Sequence, residues 1–225
     1  MIPLRDDIRS STRPWVTYFF IASCSLIFIY QLFSQFADRA TGNYIILNFG
    51  MIPRDIVAGR RLWTLVTSMF LHGGFFHVIG NMLYLWIFGD NVEDALGRVP
   101  YVLMYLGAGL FGSLCHIFIS PASAIPTIGA SGAISGVMGA YFILYPRARV
   151  LTLVPIFFFI RFIQLPAYFL LGFWILLQIL YGCTSSPAGG GVAYFAHIGG
   201  FVVGILVGLL FRQRRRARGI WYDIR

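Results

Sequence analysis

Six long apolar runs, separated by short polar segments, constrain the fold of this 225-residue chain more than any other feature. A helix needs about 20 apolar residues to cross the roughly 30 Å hydrocarbon core of a bilayer. Several of the runs come near that length, and the second and fourth look short. They are Trp15–Phe36, Phe75–Gly89, Pro100–Ser120, Ile128–Tyr145, Leu165–Gly182 and Val192–Phe211. The pattern predicts an all-α polytopic membrane protein with six transmembrane helices.

The composition excludes an ordinary water-soluble domain. Charged residues make up 11% of the chain, against about 25% in soluble proteins. The sequence predicts one membrane domain over residues 15–211, preceded by a cytoplasmic segment of residues 1–14. A basic cytoplasmic tail of residues 212–225 follows it, and the first outer loop, residues 37–74, is long.

The positions of the arginines predict the orientation. All 17 basic residues are arginine and the net charge is +9. With six spans and a cytoplasmic N-terminus, 13 of the 17 fall on the cytoplasmic side, as the positive-inside rule favours. Both termini are therefore predicted to be cytoplasmic. Because the arginines cluster at segment ends, where anionic headgroups attract them, the charge indicates a lipid bilayer and not nucleic acid as the partner.

Two connecting segments carry predictions of their own. The stretch Val150–Ile163 is apolar but contains Pro155 and Arg161, so we expect an interfacial connection leading into the fifth span. The loop Cys183–Gly191 is rich in glycine and serine, which makes it a candidate mobile cap.

Strongly polar residues lie inside three of the apolar runs. They are Ser131 in the fourth run, His197 in the sixth, and His77 with Asn81 in the second. Polar and ionisable groups at membrane depth are costly and mark functional sites. Counted from the cytoplasmic ends at about 1.5 Å per residue, Ser131, His197, His77 and Asn81 lie roughly 24, 22, 20 and 14 Å deep. The four side chains are therefore predicted to share one layer.

Ser131 is suited to be a nucleophile. It lies where a short loop becomes a helix, and Gly129 and Gly132 on either side allow a close approach of the backbone. Unpaired N–H groups at a helix start favour a developing oxyanion. The alternative is that Ser131 is one more small residue of a helix-packing stripe with Gly132 and Gly136.

His197 is the candidate general base, since an imidazole can take the serine proton and return it to a leaving amine. The following Gly200 and Gly204 make a smooth helix face that we expect to pack against the fourth span. No acidic residue is expected at comparable depth, so the prediction is a dyad and not a triad. The alternative is a histidine that serves only helix association.

His77 and Asn81 are four residues apart and share one helix face. Their N–H groups, with the Ser131 amide, could form an oxyanion hole. Two alternatives remain open: an interhelical polar clamp, and a metal site that would use His72, His77, His116 and His197. No H-E-x-x-H motif or carboxylate set supports the metal. His72 is a candidate supporting residue that ties down the first loop.

Taken together, these residues resemble the rhomboid intramembrane serine proteases. The resemblance extends from Arg60 to Gly208 and rests on motifs in separate spans, namely Trp63–Phe70, His72-Gly73-Gly74, His77-x-x-x-Asn81, Gly129-Ala130-Ser131-Gly132 and Ala196-His197-Ile198-Gly199-Gly200 followed by Gly204.

The resemblance implies a six-helix bundle with Ser131 as nucleophile and His197 as base. It also implies an oxyanion hole made by His77, Asn81 and the Ser131 amide. The substrates would be transmembrane proteins cut in or beside their span, without metal or cofactor. The implied location is a bacterial cytoplasmic (inner) membrane.

Two positions depart from the family pattern. Thr64 follows Trp63 where many members have arginine, and Ser135 replaces an aromatic residue that packs on the catalytic histidine. The main rival function is that of a rhomboid-like pseudoprotease, which binds client transmembrane helices without cleaving them. The intact Ser131–His197 pair favours the protease. A transporter ranks third, because no inverted repeat is evident.

Overall fold

The computed structural model describes residues 1–156, 159–184 and 191–217 of the chain, with side chains up to Gln213 except that of Ile156. The elements of the described part are helices α1 (Trp15–Ala37), α2 (Arg39–Phe49), α3 (Pro53–Val57), α4 (Thr64–Thr67), α5 (Phe75–Leu96), α6 (Arg98–Ile119), α7 (Ser131–Leu144), α8 (Ala167–Thr184) and α9 (Tyr194–Ala217), a 3-10 turn (Ser68–Phe70), and strands β1 (Ile2–Asp6), β2 (Arg149–Ile156) and β3 (Phe159–Pro166).

The chain is an integral multi-pass membrane protein. By length and composition, α1, α6, α8 and α9 can each cross a bilayer. The pair formed by α4 with its 3-10 turn and by α5, bent by 93°, counts as a fifth candidate span. Large apolar side chains are exposed on these helices, including Phe19, Leu103 and Phe118 at 63, 67 and 83%. Such surfaces are typical of proteins surrounded by lipid.

Helix α7 forms the centre of the bundle. It has 14 residues, and 11 of them are buried. Because protein and not lipid surrounds it, α7 does not need the length of a lipid-facing span. Glycines allow the backbones of α7 and α9 to come close. A Cβ on Gly204 of α9 would lie 1.9 Å from the Gly136 carbonyl oxygen of α7.

Helix α5 extends about two turns beyond the predicted end of the second run at Gly89. Acidic side chains in this extension bind the chain that leads into α1. Glu93 accepts hydrogen bonds from the Thr17 N–H (2.8 Å) and hydroxyl (2.9 Å), and Asp94 accepts from the Thr12 hydroxyl (2.6 Å). Glu93 thus caps the first turn of α1, which helps to explain why α5 continues past the apolar run.

The all-α prediction is wrong on the side of the bundle where α7 ends and α8 begins. The stretch predicted as an interfacial connection is an antiparallel hairpin of β2 and β3, paired from Arg149↔Pro166 to Ile156↔Phe159. Pro155 disfavours a helix, and the many β-branched residues favour strands. Strand β1 pairs with β2 and completes a three-stranded sheet in the order β1-β2-β3.

Asp6, the last residue of β1, joins this sheet to the helices. Its carboxylate accepts a hydrogen bond from the Tyr141 hydroxyl near the end of α7 and one from Asn91 Nδ2 near the end of α5 (2.9 Å). The N-terminal strand and the C-terminal ends of α5 and α7 therefore lie on one face of the bundle.

Several sequence-based predictions fall outside what the structure describes. Most of the candidate cap, residues 185–190, and the end of the basic tail, residues 218–225, are not among the described residues. The division into residues 1–14, 15–211 and 212–225 stays a prediction.

Candidate active site

The first outer loop fixes the approach to Ser131. Thr127 and Met51 exchange two main-chain hydrogen bonds (3.1 and 2.7 Å), and the Gly129 N–H donates to the Ser68 carbonyl oxygen (2.9 Å). Gly129 has φ +128°, a conformation that side chains with a Cβ rarely adopt. This turn makes Ser131 the first residue of α7.

The structure brings Ser131 and His197 into direct contact. His197 Nε2 lies 2.7 Å from Ser131 Oγ. The two residues are 66 positions apart, and the close packing of α9 on α7 joins them. A Cβ on Gly200 would lie 1.9 Å from the Gly132 carbonyl oxygen. Only a glycine at this position therefore lets α9 pack close enough to α7 for the imidazole to reach the hydroxyl.

His77 and Asn81 of α5 lie against the other side of the same turn. A Cβ on Gly129 would lie 2.7 Å from His77 Nε2 and 3.7 Å from Asn81 Nδ2. The Gly73 N–H donates to His77 Nδ1 (3.3 Å). Since Nδ1 accepts this bond, the proton of a neutral imidazole is on Nε2, the nitrogen that faces Gly129.

Unused hydrogen-bond donors meet beside Ser131. Within the described part of the chain, the buried Asn81 Nδ2 has no hydrogen-bond partner. Helix α7 begins without a side-chain cap on its first N–H groups. Buried polar groups in native proteins are nearly always paired. Donors left unpaired at this point therefore fit a ligand that carries negative charge.

One cavity of about 920 Å³ is bounded by α5, α6, α7 and α9. The side chains of Ser131, His197, His77 and Asn81 all line it. Its wall also includes Trp174 of α8. The cavity is large enough for several residues of an extended peptide, and it places a hydroxyl, an imidazole and several N–H donors around a common space.

Two residues that were not predicted as part of the site contact His197. Gln178 of α8 places Oε1 2.8 Å from His197 Nδ1, and the Trp174 ring centroid lies 5.7 Å from that of the imidazole. The signal was present, since Gln178 is a polar residue inside the fifth apolar run. The Ser135 hydroxyl, one turn after Ser131, donates to the Ser131 carbonyl oxygen (2.6 Å).

His72 is buried beside the site, with its ring centroid 5.1 Å from that of His77. The main chain of His72 holds the loop: its N–H donates to Gln31 Oε1 (3.1 Å), and its carbonyl oxygen accepts from Gln31 Nε2 (3.3 Å). In the described residues, no group of three or more histidine, cysteine or acidic side chains is arranged to hold a metal ion.

Comparison with known proteins gives a consistent result. The family model described as the Rhomboid domain matches residues 59–214. The chain is 36% identical to Rhomboid protease GluP of Bacillus subtilis, over 57% of this chain and 24% of that protein. It is 31% identical to Rhomboid protein 1, mitochondrial, of Saccharomyces cerevisiae, over 76% of this chain and 50% of that protein.

A plant relative extends the comparison. The chain is 33% identical to RHOMBOID-like protein 1 of Arabidopsis thaliana, over 71% of this chain and 37% of that protein. The chain thus spans between about a quarter and half of the length of these three relatives.

Proposed function

Because the chain belongs to the rhomboid family, we propose that it is an intramembrane serine endopeptidase that cleaves transmembrane proteins in or near their membrane span. The observation that carries the proposal is the 2.7 Å contact between Ser131 Oγ and His197 Nε2 inside a cavity of about 920 Å³ among the helices. A hydroxyl is a weak nucleophile until a base takes its proton, and this contact supplies the base.

The mechanism begins with the proton on Ser131. His197 Nε2 takes the proton as Oγ attacks the carbonyl carbon of the scissile peptide bond, and the carbonyl oxygen becomes an oxyanion. His77 Nε2, Asn81 Nδ2 and the Ser131 N–H donate to that oxyanion. Such donors are worth about 10²–10³ in rate each.

The tetrahedral intermediate then collapses. The C–N bond breaks, and the imidazolium gives its proton to the leaving amine, so an acyl-enzyme on Ser131 remains. The same imidazole then takes a proton from a water molecule, whose oxygen attacks the ester carbonyl. As the bond to Ser131 Oγ breaks, the imidazolium returns that proton to Oγ and the new carboxylic acid leaves. No step needs a metal or a cofactor.

The proposal includes six crossings with both termini on the cytoplasmic side. The contact of β1 with the ends of α5 and α7 supports it. If α1 and α5 cross the membrane in opposite directions, and α6 and α7 do the same, then the N-terminal strand and the ends of α5 and α7 lie on the same side. The arginine distribution gives this side as cytoplasmic. Placement in a bacterial cytoplasmic membrane stays a prediction, because the relatives come from a bacterium, yeast mitochondria and a plant.

Cleavage in a reconstituted bilayer tests the proposed function. We expect the protein in liposomes to cut single-span membrane proteins at a site within or beside the span, located by mass spectrometry of both fragments. Ser131→Ala should abolish the cleavage. Binding of the spans without cleavage, by folded protein, would overturn the proposal and favour the pseudoprotease that binds client helices.

A further inference from the structure

We infer that Gln178 is a positioning residue that holds His197 in the tautomer able to deprotonate Ser131. This inference rests on the proposed function and adds to it a third member on α8, a helix that carries none of the predicted site residues. A base at Nε2 requires a lone pair there, and in a neutral imidazole the proton must then be on Nδ1.

The contacts of the Gln178 side chain join two helices. Its Oε1 lies 2.8 Å from His197 Nδ1, and its Nε2 donates to the Trp174 carbonyl oxygen one turn earlier in α8 (3.4 Å). Gln178 and His197 are 8 and 9% exposed. Water therefore competes little for these hydrogen bonds.

The orientation of the carboxamide determines where the imidazole proton lies. The Gln178 NH₂ group can only donate, and the Trp174 carbonyl can only accept. When these two are paired, Oε1 faces His197 and can only accept, so the Nδ1 nitrogen must be the donor. Nε2 is then left with its lone pair toward the Ser131 hydroxyl. The chain of bonds runs in one direction, from Ser131 through His197 and Gln178 to the main chain of α8.

A neutral acceptor suits this depth better than a carboxylate. An acidic residue would stabilise the imidazolium more strongly, but a charge inside the membrane domain is costly. Gln178 orients the ring without that cost. Trp174, tilted by 34° to the imidazole plane, packs on the ring where Ser135 is too small to do so. Helix α8 thus supplies both the acceptor and the aromatic contact for His197.

Two substitutions separate this role from simple packing. Gln178→Leu has a similar shape and no acceptor, so the rate constant for fluorophosphonate labelling of Ser131 should fall about 10- to 100-fold. That is less than most of the 10²–10⁴ that a general base supplies, because the base itself is still present. Gln178→Glu keeps the arrangement when protonated and keeps an acceptor when ionised. We expect it to label within about tenfold of the wild-type rate.

The tautomer can be read directly by ¹⁵N NMR. Protein labelled on its histidines and reconstituted in nanodiscs would be measured at about pH 8, above the ordinary histidine pKa of about 6.5. Subtraction of the His197→Phe spectrum assigns the His197 signals. We expect a proton on Nδ1 and none on Nε2 in the wild type, and partial protonation of Nε2 in Gln178→Leu.

Gln31→Leu is the matched control. It also removes a buried glutamine, one that binds the main chain of the loop residue His72, and it should leave the His197 tautomer unchanged. A wild-type spectrum with the proton on Nε2, or Gln178→Leu with the wild-type spectrum and labelling rate, would overturn the inference. The spectrum does not depend on proteolysis, so failure of the proposed function alone would leave the Nδ1-protonated form in place.

Discussion

Asn81 is a single residue at which stability and the proposed function make opposite demands. Its amide nitrogen is buried and, among the described residues, unpaired, an arrangement that costs about 1–3 kcal/mol in a folded protein. Its position beside Gly129 supports the proposed oxyanion hole, in which an oxyanion would complete the missing hydrogen bond.

Replacing Asn81 by leucine should therefore separate stability from activity. We expect kcat for cleavage to fall at least about 100-fold with little change in KM, because the lost donor acts on the transition state. The apparent Tm should stay the same or rise, since an unpaired polar group is removed.

Asn91, in the same helix, provides the comparison for Asn81. Its Nδ2 donates to Asp6 and to Asp90, so Asn91→Leu should lower the apparent Tm. Unchanged cleavage by Asn81→Leu would show that Asn81 has no part in the chemistry.

One physical rule predicted the candidate site residues and applies to one more residue. Ser131, His197, His77 and Asn81 were recognisable because polar groups in apolar runs are costly. Gln178 meets that criterion too, but a carboxamide neither reacts nor ionises, so its sequence position alone does not indicate catalysis. Which nitrogen of His197 carries a proton could not be predicted, because the partner of Nδ1 comes from another helix.

At the scale of elements, the packing of α7 on α9 controls the geometry of the site. The two helices touch through glycines, and the space for a side chain there is absent: a Cβ on Gly204 would lie 1.9 Å from one backbone oxygen and 2.8 Å from the Ala140 nitrogen. Any added atom must push the helices apart and thereby separate Ser131 from His197.

Gly204→Ala should consequently lower the apparent Tm and the labelling rate of Ser131 together, with a destabilisation of about 1–3 kcal/mol. Gly107→Ala in α6 is the matched control, since nothing lies within 4 Å of a Cβ there. That control should be neutral or stabilising by up to about 1 kcal/mol. Thermal unfolding of both variants in the same detergent would check the difference, and equal effects would contradict the proposed close contact.

Element boundaries were harder to predict than the spans. Hydropathy ended the second run at Gly89, whereas α5 continues because Glu93 and Asp94 bind residues some 76 to 83 positions earlier. The hairpin of β2 and β3 could not be told from a broken apolar segment, because strand β2 also pairs with β1 at the distant N-terminus. Local sequence patterns cannot predict either of these long-range contacts.

On the scale of the whole molecule, β1 fastens the N-terminus to the membrane bundle through Asp6. Burial raises the pKa of Asp6 from 3.8 to about 7, opposed by the Tyr141 hydrogen bond and reinforced by the nearby Asp90 and Asp7 carboxylates. The folded protein therefore keeps a proton on Asp6 over a pH range in which the unfolded chain has released it.

This difference predicts how stability depends on pH. As the pH rises from about 4 to about 7, the Asp6 contribution should lower the stability of the fold, and above about 7 it should level off. Asp6→Asn cannot ionise, so the variant should lose this part of the decline. Apparent Tm values of both proteins across that range would check it, and parallel curves would contradict it.

The central claim is that His197 activates Ser131. The most direct measurement is fluorophosphonate labelling of the folded protein in liposomes, with the modified residue located by mass spectrometry. We predict labelling at Ser131 that disappears in Ser131→Ala and falls to background in His197→Ala, while both variants remain folded by circular dichroism. Folded wild-type protein that does not label, or His197→Ala that labels at the wild-type rate, would contradict the claim.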